Sequence, residues 1–192
     1  MSNKDNLKYE IQIKKAIKNK DVDWLKTECE KIYYFGLGFI QIKFKNKRFR
    51  VNIYTTDLPP IVGDEDIHDH RYSFGSEILA GEFFQHIFQK IEGDKYILEE
   101  ESCNANDPSN FLGYCDFVKL TTSIYTEGSF YEIDHNTFHR VSAGEAITLL
   151  TRPLDYAKPK ARVARLKNAP KVCPFSKVLP DEELWEIVTK NL

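Results

Sequence analysis

Apolar residues near the start of the chain recur at a helical period. Over residues 6–33, Leu7, Ile11 and Ile17 fall close to one stripe, and "DVDWLKTECEKIYYF" extends the pattern. Asp21 or Asp23 stands where an acidic residue caps the start of a second helix. We therefore predict an N-terminal helical segment.

From residue 40 onward the period of the apolar positions falls to two. Ile40, Ile42 and Phe44 alternate with polar residues, residues 49–53 repeat the alternation, and "KNK" between them predicts a hairpin turn. Strand-like segments recur up to residue 151, and turn signals such as "EGD" at 92–94 and "NANDPSN" at 104–110 separate them. "LPDEELWEIVTKNL" predicts a final helix. The pattern as a whole predicts an all-β core, a sandwich or small barrel, with helices at both ends.

Length, charge and cysteine content narrow the class of protein. The chain has 192 residues and a formal net charge of −2, which predicts one domain without the basic field that nucleic acid or anionic membrane attracts. The four cysteines form no CxxC pair, so we expect reduced thiols. No apolar run approaches the roughly 20 residues of a membrane span. We predict a cytoplasmic protein with neither a nucleic-acid nor a membrane partner.

Two histidines one residue apart, His68 and His70 in "IHDH", are the first candidate for chemistry. Residues i and i+2 of a strand face the same way, so the two rings can share one metal ion. Imidazole is a common ligand of iron, zinc, copper and nickel. The other histidines are His86, His135 and His139, and the last two lie in "GSFYEIDHNTFHRVSAG".

These two stretches resemble the two motifs of the cupin superfamily. Gly128 and His139 match the spacing of the second motif, in which Asn136 stands for a glycine and is expected to adopt its left-handed turn geometry. His68, His70 and the closing Gly81 match the first motif, and Gly63 lies one residue nearer to the pair than in the family. The resemblance covers about residues 40–155. It implies a cupin (double-stranded β-helix or jelly-roll) barrel over 36–155, between a helical segment at 1–35 and an extension with a helix at 156–192.

The glutamate of the first cupin motif is missing. Its place is taken by Phe74; Glu77 would return to the inner face only through a bulge near Gly75, and His86 is another candidate for a fourth ligand. His68, His70 and His139 would then form a three-histidine site. This arrangement resembles that of thiol dioxygenases, and the local sequence is also similar to small cupin-like proteins of phage and bacteria.

The resemblance implies a divalent metal, Fe(II) in the first place and otherwise Zn, Mn or Ni, held by His68, His70 and His139. The function it implies is a non-haem iron oxygenase for a small-molecule substrate, with Tyr72 and His86 as the candidate catalytic residues. Asp69, or Asp66, could orient a ligand histidine. The alternatives are a non-redox isomerase, epimerase or lyase, and a small-molecule-binding cupin without turnover. By analogy with cupins a homodimer is also expected.

Overall fold

The structure is a computed structural model that describes residues 3–61, 67–101, 109–172 and 177–192. Along these residues the chain forms α1 (Asn3–Lys18), α2 (Val22–Glu28), β1 (Cys29–Phe35), β2 (Phe39–Phe44), β3 (Phe49–Tyr54), β4 (Ile67–His68), β5 (Phe74–Glu101), β6 (Asn110–Thr126), β7 (Phe130–Ile133), β8 (Phe138–Thr151), β9 (Ala161–Leu166) and α3 (Asp181–Asn191). None of the helices in these ranges is long and apolar enough to cross a membrane.

The nine described strands form one antiparallel sheet, which its long strands β5 and β8 divide into two parts, called sheet I and sheet II. Sheet I has the order β3, the second half of β8, the first part of β5, and β7. Sheet II has the order β4, the first half of β8, the middle of β5, and β6. Because β5 and β8 each pass from one sheet into the other, the sheets form the jelly-roll barrel of cupins. The predicted all-β cupin core with flanking helices is confirmed.

The corner where β5 passes between the sheets depends on Gly81. Its φ is +79°, and a Cβ atom there would lie 2.1 Å from the carbonyl oxygen of Glu145 in β8. The pairing of β5 with β8 also shifts register between Gly81 and Phe83. The close approach of the two backbones at the corner thus requires a glycine.

The N-terminal helices end earlier than the sequence pattern predicts. Asp21 caps α2 by accepting from the backbone N–H of Trp24 at 3.0 Å, and α2 ends at Glu28. The next residues form β1, in which Ile32 and Tyr34 are buried against the outer face of the sheet beside β2. The extension of the helix to residue 33 is therefore wrong, because the alternating apolar residues of "KIYYF" gain more burial in a strand.

The predicted hairpin of β2 and β3 is confirmed, with Ile40 opposite Ile53 and Ile42 opposite Val51. The prediction that "EGD" at 92–94 separates two strands is wrong, because β5 continues through these residues with a bulge, and its partner moves only from Asp116 to Cys115. The "NANDPSN" loop lies mostly outside the described residues.

Three apolar clusters support this arrangement. The first joins the three helices to the outer face of sheet I and its β1–β2 extension; its α3 members are Leu184, Trp185 and Val188. The second joins residues of both sheets and fills the barrel. The third includes Ile67 and Phe138, which directly precede His68 and His139. Since neighbouring residues of a strand face opposite ways, those two histidines point into the barrel.

Candidate metal centre

Three histidines converge where β4 meets the start of β8. His68 lies directly opposite His139 in the strand register, and His70 follows two residues after His68. The ring centroids are 4.7 Å apart for His68 and His139, 4.8 Å for His70 and His139, and 5.0 Å for His68 and His70. The Nε2 atoms of His70 and His139 are 2.6 Å apart.

Burial keeps two of these imidazoles neutral. Removal from water lowers the pKa of His139 well below its usual value, and the positive form of His68 would lower it further. Burial likewise lowers the pKa of His70, with added repulsion from His139, His68, Lys158 and Arg50. Neutral imidazole is the form that binds metal ions. In the contact between the two Nε2 atoms, therefore, only one ring can carry the shared proton.

The ring geometry fits a single metal ion. One nitrogen from each of the three histidines lies within 4.8 Å of the other two. Nitrogens about 2.1 Å from one ion are about 3.0–3.4 Å apart at bond angles of about 90–110°, so a pair separated by the full 4.8 Å would have to close by about 1.4–1.8 Å, which side-chain rotation can supply. Within the described part of the chain, the buried Nδ1 of His139 has no hydrogen-bond partner, so only the Nε2 side of this ring is satisfied there. The residues present therefore fit a divalent ion held by imidazole.

Phe74 occupies the position next to His70 at which the cupin motif has glutamate. Its ring is 7% exposed and meets the His70 ring edge-on, with centroids 4.7 Å apart. Glu77 does not replace the missing carboxylate, because it forms an ion pair with Lys14 of α1 at 2.5 Å. The bulge that would bring Glu77 inward is absent at Gly75, where the ladder of β5 with β7 runs in register.

Tyr72 lies beside the histidines and between two arginines. Its ring centroid is 6.4 Å from that of His70, and the guanidinium carbons of Arg152 and Arg50 lie 4.9 and 5.7 Å from it. Burial raises the pKa of Tyr72, although the charges of Arg50 and Arg152 oppose the shift. The Tyr72 hydroxyl therefore keeps its proton at neutral pH and can donate it to a hydrogen bond.

Arg152 is a buried cation that the sequence did not single out. It is 8% exposed, and its Nε finds no hydrogen-bond partner in residues 3–61, 67–101, 109–172 or 177–192, while one Nη donates to the carbonyl of Pro153 at 3.3 Å. Among the residues that the structure describes, no carboxylate pairs with Arg152 or Arg50. The only signal in the sequence was the position of "TRP" at a strand end, and a single arginine there is too common to predict a site.

His86 and His135 do not join the cluster. His86 precedes Ile87, which is the residue opposite His139, so it faces the other side of sheet II and contacts Thr122 at 2.9 Å and Ser142 at 3.3 Å. We therefore leave His86 out of the centre as ligand and as catalytic residue. The ring of His135 contacts the Ser73 hydroxyl at 3.2 Å.

The turn that leads into His139 differs from its expected form. Among the described residues, Lys20 is the only non-glycine with a positive φ, so the left-handed geometry expected of Asn136 is wrong. Asp134 instead accepts from the backbone N–H of Asn136 at 2.9 Å through its side chain, and from that of Thr137 at 3.0 Å through its carbonyl. An Asx turn of this kind needs no glycine.

Comparison with known proteins adds little beyond this geometry. No protein-family model matches the chain, and no curated protein does. Among solved structures, the CENP-C of Drosophila melanogaster bound to CAL1 is 11% identical with a TM-score of 0.40, covering 71% of this chain and 95% of that one. The CENP-C cupin domain of the same organism is also 11% identical, with a TM-score of 0.38 and coverages of 65% and 76%.

A third structure is hydroquinone 1,2-dioxygenase from Sphingomonas sp. TTNP3 with 4-hydroxybenzoate bound. It is 10% identical with a TM-score of 0.33, covering 60% of this chain and 63% of that one. Likeness of this size carries no argument about activity or partners. What the strand order and the histidines of the chain itself show is a cupin-like fold with a three-histidine cluster suited to a metal.

Proposed function

We propose that this protein is a metal-dependent cupin enzyme in which His68, His70 and His139 hold Fe(II), and that it oxygenates a small molecule. The observation that carries the proposal is a set of three imidazoles, two of them held neutral by burial, without a carboxylate ligand among the described residues. Fe(II) on such a face would supply open positions for substrate and O2.

The surroundings of the centre favour an anionic substrate. Arg152 and Arg50 bring two positive charges to the Tyr72 ring, beside His70, and no described carboxylate neutralises them. A buried guanidinium without a counter-ion is costly, and a carboxylate on the substrate would satisfy it through paired hydrogen bonds. In this proposal the arginines orient the substrate, and the neutral Tyr72 hydroxyl donates a hydrogen bond to it.

The first test is the metal content of protein purified without added metal. We expect near-stoichiometric iron in the wild type and its loss in His139→Ala. His86→Ala is the matched control, because this histidine lies on the opposite face of sheet II and should leave the iron in place. Absence of metal from the wild type, even after anaerobic Fe(II) loading, would exclude the proposal and leave a binding protein without turnover.

The second test separates oxygenase from Lewis-acid chemistry. Iron-loaded protein should consume O2 with small thiols or enolisable acids that carry a carboxylate, whereas zinc-loaded protein should not turn them over. Turnover that persists with zinc would instead favour the isomerase, epimerase or lyase alternative. Arg152→Met should raise KM for the anionic substrates while the iron content stays at the wild-type level.

A further inference from the structure

Two of the three histidines, His68 and His70, lie at the end of the short strand β4 and just beyond it. β4 comprises only Ile67 and His68; it makes a single pair with β8, His68 opposite His139, and two pairs with β9 on its other side. His70 lies beyond the strand, where its backbone N–H donates to the carbonyl of His135 at 3.3 Å. Another contact is therefore needed to hold His70 in place.

Asp69, between the two histidines, makes that contact. It is 1% exposed, and its Oδ2 accepts from Arg162 Nε and Lys158 Nζ at 2.5 Å each. Its Oδ1 accepts from the backbone N–H of Arg162 at 2.7 Å, and its own N–H donates to the Arg162 carbonyl at 3.0 Å. Asp69, which was expected to orient a ligand ring, thus binds β9 and the segment before β9 instead. The other candidate, Asp66, lies outside the described residues.

We infer that Asp69 is a positioning residue of the metal centre, acting through its ion pairs with Arg162 and Lys158. Its side chain faces away from the ligands, so that it anchors the backbone between them rather than touching a metal. Without the carboxylate, Lys158 and Arg162 lose their shared counter-ion and repel each other, and the segment bearing both His68 and His70 is released. The inference rests on the proposed metal site, and it assigns a role to the C-terminal extension in holding that site.

A second carboxylate that pairs with an arginine of β9 provides a matched control. Glu99 of β5 accepts from Arg165 of β9 at 2.8 Å and from Lys171 at 3.0 Å, so it also joins one arginine and one lysine. Its side chain is 13% exposed, compared with 0% for Asp69. Since Glu99 has no candidate ligand beside it, Glu99→Gln removes a similar ion cluster without acting on the histidines.

The experiment compares Asp69→Asn, Glu99→Gln and the milder Lys158→Gln in the full chain, with circular dichroism to confirm folding. Zinc affinity is measured by competition with a chelator, and the metal-free protein is examined by NMR for a nuclear Overhauser contact between the His70 and His139 rings. We expect about 10- to 100-fold weaker zinc binding in Asp69→Asn, as for residues that support metal ligands elsewhere. The zinc affinity of Lys158→Gln should lie between those of Asp69→Asn and the wild type, and the affinity of Glu99→Gln should equal that of the wild type.

Each outcome decides the point. The inference is overturned if Asp69→Asn keeps the wild-type zinc affinity and the ring contact. It is also overturned if Glu99→Gln loses as much zinc affinity as Asp69→Asn, because the loss would then reflect a general decrease in stability. If Asp69→Asn fails to fold, unchanged affinity and ring contact in Lys158→Gln overturn it. If the wild type binds no zinc or iron, the proposed function fails, and the ring contact in metal-free protein alone decides the role of Asp69.

Discussion

Replacing Phe74 by glutamate would restore to this chain the fourth ligand of the cupin motif. The Phe74 ring is buried, and its centroid lies 4.7 Å from that of His70, 6.3 Å from that of Tyr72 and 6.5 Å from that of Tyr131. A carboxylate there would lose the aromatic contacts and enter a buried space beside neutral imidazoles. We therefore expect Phe74→Glu to be less stable than the wild type without metal and to regain stability with it.

The size of the loss follows from the burial of the ring. Truncating a buried phenylalanine costs about 3–5 kcal/mol, and glutamate keeps little of that packing, so we take about 4 kcal/mol. For a chain of 192 residues, 1 kcal/mol shifts Tm by about 2–4 °C, so Tm should fall by about 8–16 °C. A metal ion at a free concentration 100 times its Kd would raise the free energy of unfolding by about 2.7 kcal/mol.

The assay is thermal unfolding of wild type, Phe74→Glu and Phe74→Leu, each with and without Zn(II). Phe74→Leu tests loss of the ring without gain of a ligand, so zinc should raise its Tm by about as much as it raises that of the wild type. The rise in Phe74→Glu should be larger than in either. If metal-free Phe74→Glu were as stable as the wild type, or if zinc raised the Tm of all three equally, position 74 would not face the centre.

Two further predictions concern the corner of β5 and a thiol. Gly81→Ala should destabilise the protein far more than Gly128→Ala, since both have φ near +80° but only the first meets the Glu145 backbone. Chemical denaturation should show that Gly128→Ala lowers the free energy of unfolding by about 1–2 kcal/mol, the cost of a left-handed backbone conformation. An equal loss in Gly81→Ala would contradict the close backbone contact at the corner. Burial, with repulsion from Asp181, raises the pKa of the Cys29 thiol to about 11. Alkylation of this thiol, followed by mass spectrometry, should therefore be slow at pH 8 and accelerate towards pH 11. Fast alkylation at pH 8 would contradict the burial of Cys29.

The parts of the fold that the sequence predicted are those with local signals. The β2–β3 hairpin shows alternation and a turn within 16 residues, and α3 shows a helical stripe after an acidic start. The convergence of His68, His70 and His139 also followed from the motif spacing. These features need only neighbouring residues or a fixed spacing to be recognised.

The parts that the sequence did not predict depend on contacts between distant segments. β9 has no clear alternation, and it is a strand because it fills the gap between β4 and the end of β5. The ion-pair partners of Asp69 could not be predicted from the sequence, because Lys158 and Arg162 lie 89 and 93 residues away in the chain. The face that His86 takes could not be decided from the sequence, because a shift of one residue in strand phase moves a side chain to the opposite face.

The charge around the histidines leads to a preference that can be measured. The candidate acid of β5, Glu77, is paired with Lys14 outside the barrel, while Phe74 contributes no charge inside it. The described carboxylate next to the ligands in the chain, Asp69, is already paired with Arg162 and Lys158, so it would not neutralise a divalent ion bound beside Arg50 and Arg152. Two unit charges 4 Å apart attract by about 4 kcal/mol at an effective dielectric constant of 20. Much of this attraction is offset by desolvation of the anion, and if about 2.7 kcal/mol remains, a substrate carboxylate would bind about 100-fold more tightly than its neutral amide. Equal binding of acid and amide to metal-loaded protein, measured by calorimetry, would show that the two arginines do not face the substrate.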